Sequence, residues 1–196
     1  MRNTPGGPAV LMGVRDPGHR FMPNRLVFPG GAVDPADARA AAAAEPRPDM
    51  LDALAHTARP GLARAIAMAA ARELREETGL SLGTPPRLDA LDYLCRAITP
   101  KSSPIRFNAR FLVAPAEMVE GEAADSAELH QVAFRPVAEL LQADMMQITR
   151  EVLLRLVAWL DLAQDARRFP RALHVFREKR WSAERARRTR PATVVP

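Results

Sequence analysis

Arg72-Glu73-Leu74-Arg75-Glu76-Glu77-Thr78-Gly79-Leu80 decides how this chain is read. Glu73, Glu76 and Glu77 stand at i, i+3 and i+4, so on a helix they share one face. Gly79 supplies a left-handed cap and Leu80 can fold back on the last turn, which puts the acids at the helix C-terminus. The helix dipole is negative there, so each clash, with the dipole or between like charges, costs roughly a few tenths of a kcal/mol. Arg72 can pair with Glu76 one turn on, and Arg75 can offset part of the remainder. A divalent cation would offset more, because hard cations such as Mg2+ take several carboxylate oxygens together with water and substrate phosphate. The plain alternative is a solvated helix end with ordinary ion pairs.

Outward from this run, Phe28-Pro29-Gly30-Gly31 forms a tight turn upstream. The run resembles the second half of the Nudix box, R-E-x-x-E-E-x-G-L, and the Pro-Gly-Gly turn resembles its opening. Residues 32–71 separate the two halves, more than the usual box allows, and Arg64 stands where that box carries a glutamate. Gly31-Ala32-Val33-Asp34-Pro35-Ala36-Asp37 is similar to a subgroup with such an insertion. Leu11-Met12-Gly13-Val14-Arg15, Arg20 and Phe28-Pro29-Gly30-Gly31 resemble the signature of Nudix coenzyme A diphosphatases, with Asn24 replacing a signature glycine. Phe21 to Phe28, Ile98-Thr99-Pro100 and Arg106-Phe107-Asn108-Ala109-Arg110-Phe111 look like the peroxisomal members of that group. The similarity runs over residues 9–140.

The resemblance implies an α/β Nudix fold, a mixed β-sheet core sandwiched between helices. It implies hydrolysis of the diphosphate in coenzyme A, an acyl derivative or a related nucleoside diphosphate compound, with Mg2+ or Mn2+. Glu76 and Glu77 would be the more direct metal ligands, Glu73 a ligand or base, and the Gly31 carbonyl a further oxygen. Arg72 would orient the glutamates, and Asp34 is the expected replacement for its missing acidic partner. Glu128 resembles the later glutamate that completes such a site, with Glu117, Glu120 and Glu122 as competitors. Arg15 and Arg20 are candidates for gripping substrate phosphates, whose oxygens match a guanidinium fork. Arg106 and Arg110 are further candidates. Two other readings stay open: a nucleotide sugar or dinucleotide substrate, and a nucleotide-sensing domain without turnover.

Composition sets bounds. A chain of 196 residues suits one domain with a single substantial core. No apolar run spans a bilayer and no signal-peptide pattern opens the chain, so a cytoplasmic protein without membrane attachment is expected. The lone Cys95 excludes an internal disulfide and fits a reducing compartment. The net charge of +5 is nearly all arginine and concentrates towards the C-terminus. Such a tail can bind nucleic acid loosely, but no recognition motif accompanies it, so a small-molecule diphosphate is the expected partner. A homodimer is left open. The histidines show no metal-ligand spacing, and neither a P-loop nor a nucleophile elbow occurs.

Residues 1–8 are expected to be disordered, 9–166 to form the domain with its insertion at 35–60, and 167–196 to be a basic helix and tail. Within the domain, strands are predicted at Ala9–Arg15, Leu26–Phe28, Leu88–Ile98, Phe107–Ala114 and Leu129–Phe134. The alanine run Ala38–Ala44 has helical propensity, and Asp49 or Asp52 can cap a short helix through Leu54. A long helix is predicted over Leu62–Thr78, with others at Val137–Ala143 and Thr149–Ala166. The strand that usually precedes the arginine-bearing strand in Nudix domains has no obvious counterpart.

Overall fold

The computed structural model describes residues 1–18, 23–56, 58, 61–168 and 172–185. Strand β2 (Gly7–Arg15) is the spine of the first sheet. It pairs antiparallel with β6 (Leu129–Pro136) along one side, from Ala9 opposite Pro136 to Arg15 opposite Leu129. Two short strands share its other side: β1 (Arg2–Thr4) pairs with Gly7–Ala9, and β3 (Leu26–Val27) pairs with Gly13–Val14. The second sheet runs β5 (Asn108–Val113), β4 (Asp92–Ile98), β7 (Ala172–Arg177) and β8 (Arg180–Arg185). β4 and β7 are parallel and the other pairs antiparallel, so the sheet is mixed, as expected.

Helices cover both sheets. α1 (Pro48–Ala55) and α2 (Leu62–Thr78) bury Met50, Leu54, Ile66, Ala67 and Met68 with Leu88 and Leu91. On the other side α3 (Val137–Leu140) and α4 (Gln147–Leu160) enclose Val10, Met12, Leu94, Cys95, Leu153, Leu156 and Trp159. A third group, Leu11, Val27, Leu80, Leu129 and Val132, packs with Leu74 and ties the end of α2 to the first sheet. No helix among the described residues is long and apolar enough to cross a membrane.

Three expectations are corrected. Residues 1–8 are not disordered: β1 joins the sheet, Thr4 donates to the Gly7 carbonyl at 2.7 Å, and Arg2 lies 4.5 Å over the Phe134 ring. This short strand covers the Gly7–Ala9 part of the β2 edge, for which the sequence offered no partner.

The alanine run does not form a helix. Arg64 takes the carbonyls of Ala38 and Ala40 at 3.3 and 2.8 Å, acceptors that helical bonds would need. α1 does form, but with Pro48 in its first turn and no side-chain cap; Asp49 pairs with Arg47 instead.

The basic C-terminal segment is not a long helix. After the short α5 (Gln164–Arg168) the chain makes the β7–β8 hairpin, with Leu173 and Val175 buried and Trp181 against Phe176. The arginines from 186 onward lie outside the described residues.

Candidate active site

The last two turns of α2 bring the acids together, as their spacing dictates. Gly79 closes the helix at φ 72°, its N–H donating to the Arg75 carbonyl at 3.0 Å. A β-carbon there would meet strain and the Glu122 carbonyl at 3.1 Å, so glycine serves both the cap and the close approach.

The Pro-Gly-Gly turn leaves β3 and lies against this helix end. The Gly30 N–H donates to Glu77 Oε2 at 2.7 Å. A β-carbon on Gly31 would come within 2.6 Å of all three carboxyl atoms of Glu73. Bare backbone is therefore required where Glu73 stands. Glu77 is only 3% exposed. Its burial raises the carboxyl pKa to about 7; the Gly30 hydrogen bond opposes the rise, and Glu73 adds to it.

Arg72 is held by four acceptor groups. Nε and Nη2 bind Asp37 at 3.0 and 3.2 Å, Nη1 binds Glu73 at 2.7 Å and Glu76 at 2.9 Å, and Nη2 binds the Ala32 carbonyl at 2.9 Å. The expected acidic partner was Asp34, and the structure replaces it with Asp37. Asp34 is used locally, its Oδ1 accepting from the Ala36 N–H at 2.7 Å. An aspartate before proline commonly closes its own turn in this way. Arg64, where the usual box has glutamate, forms a bidentate pair with Glu45 at 2.7 and 2.8 Å.

Glu128 lies at the start of β6, beside the end of β2: its carbonyl accepts from the Asp16 N–H at 2.9 Å. The charges of Glu128, Glu73 and Arg15 all act on Glu77, so Glu128 and Arg15 lie within electrostatic reach of the end of α2. Asp16 and His130, whose Nε2 lies 2.9 Å from Asp16 Oδ2, flank Glu128 and are polar neighbours that the sequence did not single out.

Arg106 is exposed ahead of β5. Arg110 sits on the second sheet across from Arg96, and burial together with Arg96 holds its guanidinium below the usual range. Phe111, next to Arg110, packs on Phe28 with ring centroids 5.9 Å apart, while Arg20 lies outside the described residues. Asn24 adopts φ 56°, a conformation that glycine or asparagine takes at low cost, and its N–H donates to the Arg15 carbonyl at 3.0 Å. The replaced signature glycine is thus a conservative change in backbone terms.

Among the described residues no three acidic, histidine or cysteine side chains stand ready as a metal cage; Arg72 lies between Glu73 and Glu76. The donor set nevertheless fits a hard divalent cation. It offers carboxylates on one helix face, a bare glycine backbone, and a Glu77 whose ionisation is uphill until positive charge arrives.

Residues 62–156 match the NUDIX domain family model, beginning at the first residue of α2, so the glycine turn beyond the insertion falls outside the match. A NUDIX hydrolase from Alicyclobacillus acidocaldarius is structurally similar at 25% identity and a TM-score of 0.59, over 76% of this chain and 83% of that one. The MutT protein from Methanosarcina mazei Go1 shares the fold at 15% identity and a TM-score of 0.51, over 83% of this chain and 91% of that one. No curated protein matches the chain. The helix with its three glutamates, the surrounding sheets and these matches agree: the chain has a Nudix fold, and residues 62–156 match the NUDIX domain model.

Proposed function

We propose that the chain is a divalent-metal-dependent hydrolase of diphosphate linkages, acting on coenzyme A, an acyl derivative or a related nucleoside diphosphate compound. The observation that carries this reading is the convergence of Glu73 on Gly31 and Glu77 on Gly30 at one end of α2.

Glu73, Glu76, Glu77 and the Gly31 carbonyl are the groups that would hold Mg2+ or Mn2+. When bound, the cation neutralises phosphate charge and lowers the pKa of water. The remaining work falls to the chain. A water oxygen bonds to one phosphorus, the bridging P–O bond breaks, and the departing phosphate keeps the electron pair. The water proton goes to a carboxylate, with Glu73 or Glu128 in that role. Arg72 holds Glu73 by its 2.7 Å hydrogen bond and so fixes that acceptor's orientation. Arg15, beside Glu77, supplies positive charge for the phosphates. Arg20 is assigned with it by sequence alone. Arg106 and Arg110 are assigned, on this reading, to a further part of the substrate.

Two features support the coenzyme A class. Asn24 takes the positive φ that the signature glycine would allow and anchors to the Arg15 carbonyl at the end of β2. A groove of about 210 Å3 also runs beside Arg72, with Ala40, Ala41, Met68, Ala71, Pro85 and Pro86 as apolar lining and Asp37, Arg72, Arg75, Ser81 and Thr84 as polar lining. Its mixed apolar and polar walls suit the flexible amide arm of a pantetheine.

A substrate panel with Mg2+ or Mn2+ tests the assignment: coenzyme A, acyl-coenzyme A, ADP-ribose, NADH and diadenosine polyphosphates, read as phosphate released after phosphatase coupling. Preferential turnover of the coenzyme A compounds is expected. Turnover of another compound keeps the site and discards the substrate. Silence across the panel with either metal favours a sensing domain.

A further inference from the structure

We propose that the inserted segment positions the catalytic carboxylates, with Asp37 as the positioning residue and the Arg64–Glu45 pair as the latch that holds it. The inference rests on the hydrolase reading above and adds residues outside the matched helix.

An arginine has five N–H donors. In Arg72 five contacts are made: two to Asp37, one each to Glu73, Glu76 and the Ala32 carbonyl. The guanidinium is saturated, so it serves to place carboxylates and has no donor left for a phosphate.

Asp37 determines where this fork stands. It is 2% exposed and grips Nε and Nη2 on the side away from Glu73, while its Oδ2 also accepts the Asp34 N–H at 2.7 Å. Burial works against its ionisation, but the Arg72 and Asp34 hydrogen bonds and the Arg72 charge outweigh that and keep it below the usual carboxylate range. A buried bidentate pair of this kind fixes both position and plane of the guanidinium.

The same helix clasps the insertion a second time. Arg64 lies eight residues before Arg72, about 12 Å along the helix axis. It binds both Glu45 oxygens and the carbonyls of Asp37, Ala38 and Ala40, at 3.4, 3.3 and 2.8 Å for the carbonyls. The two arginines thus fasten residues 37–45 along α2. That stretch of the insertion is the outer support of Glu73 and Glu76.

The test uses Asp37→Asn, Asp37→Glu, and Arg64→Glu alone and with Glu45→Arg. Each is read by Mn2+ titration, by kcat and KM separately, and by Tm. Asp37→Asn keeps size and loses charge; Mn2+ affinity and kcat are expected to fall together by about tenfold, the usual scale for an outer-shell partner. KM and Tm should change far less. Asp37→Glu should recover part of the loss. Arg64→Glu should lower Mn2+ affinity, and adding Glu45→Arg should restore it by reversing the pair.

Wild-type Mn2+ affinity and kcat in Asp37→Asn would overturn the proposal while leaving the hydrolase reading intact. So would a kcat loss that merely follows a fall in Tm. If the wild type hydrolyses nothing yet binds Mn2+, the hydrolase reading fails and the affinity series still decides the positioning role. A wild type that binds no Mn2+ overturns both.

Discussion

At the scale of single residues, the account turns on how closely side chains approach backbone. Glu73 lies on the α-carbon of Gly31, leaving no room for a methyl group. Gly31→Ala is therefore expected to displace the carboxylate and lower kcat more than tenfold, with Tm within a few degrees of wild type; unchanged kcat would show that Glu73 is not needed where it stands. Glu77 makes a second prediction. Its carboxyl pKa rises from 4.5 to about 7 in the fold, so the folded state holds that proton more tightly than the unfolded one. Its contribution to stability is complete below pH 4.5 and is lost as pH climbs to 7. In chelator-treated protein the Tm difference between Glu77→Gln and wild type should widen across that window, and a constant difference would contradict the shift.

At the scale of elements, α2 was legible because every signal for it is local. Its apolar stripe, its glycine cap and its carboxylate spacing need no partner, and Leu62–Thr78 emerged with the limits the sequence predicts. The cap itself is testable. Gly79→Ala, at φ 72° and facing the Glu122 carbonyl, should cost about 1 kcal/mol or more in urea unfolding. The misread elements depend on contacts from afar. The propensity of Ala38–Ala44 gives way to Arg64, which removes helical acceptors from 24 to 26 residues away. The β7–β8 hairpin turns through Glu178 and Lys179 at φ 48° and 61°, a conformation usually marked by asparagine or glycine. With ordinary charged residues at its turn, the arginine-rich segment gave no hairpin signal. Asp37 was equally hidden, since nothing in Asp34-Pro35-Ala36-Asp37 says which acid an arginine 35 residues later will take.

At the scale of the whole molecule, two sheets and their helices hold the β2 end, the glycine turn and the end of α2 at one place. The core on the α4 side supplies none of the site's carboxylates. Leu153, fully buried there, should cost about 2–5 kcal/mol when replaced by alanine, with KM and kcat per folded molecule unchanged. A selective loss of kcat in Leu153→Ala would mean that the core is coupled to the chemistry. The central claim is that the carboxylate end of α2 performs metal-dependent diphosphate hydrolysis. The most direct measurement is turnover of coenzyme A with Mg2+ or Mn2+ by the wild type and by Glu77→Gln, each with its Tm recorded. The account predicts metal-dependent turnover by the wild type and a loss of at least about 100-fold in Glu77→Gln, roughly 2.7 kcal/mol in the barrier, with the fold retained. Undiminished turnover by a folded Glu77→Gln would contradict it.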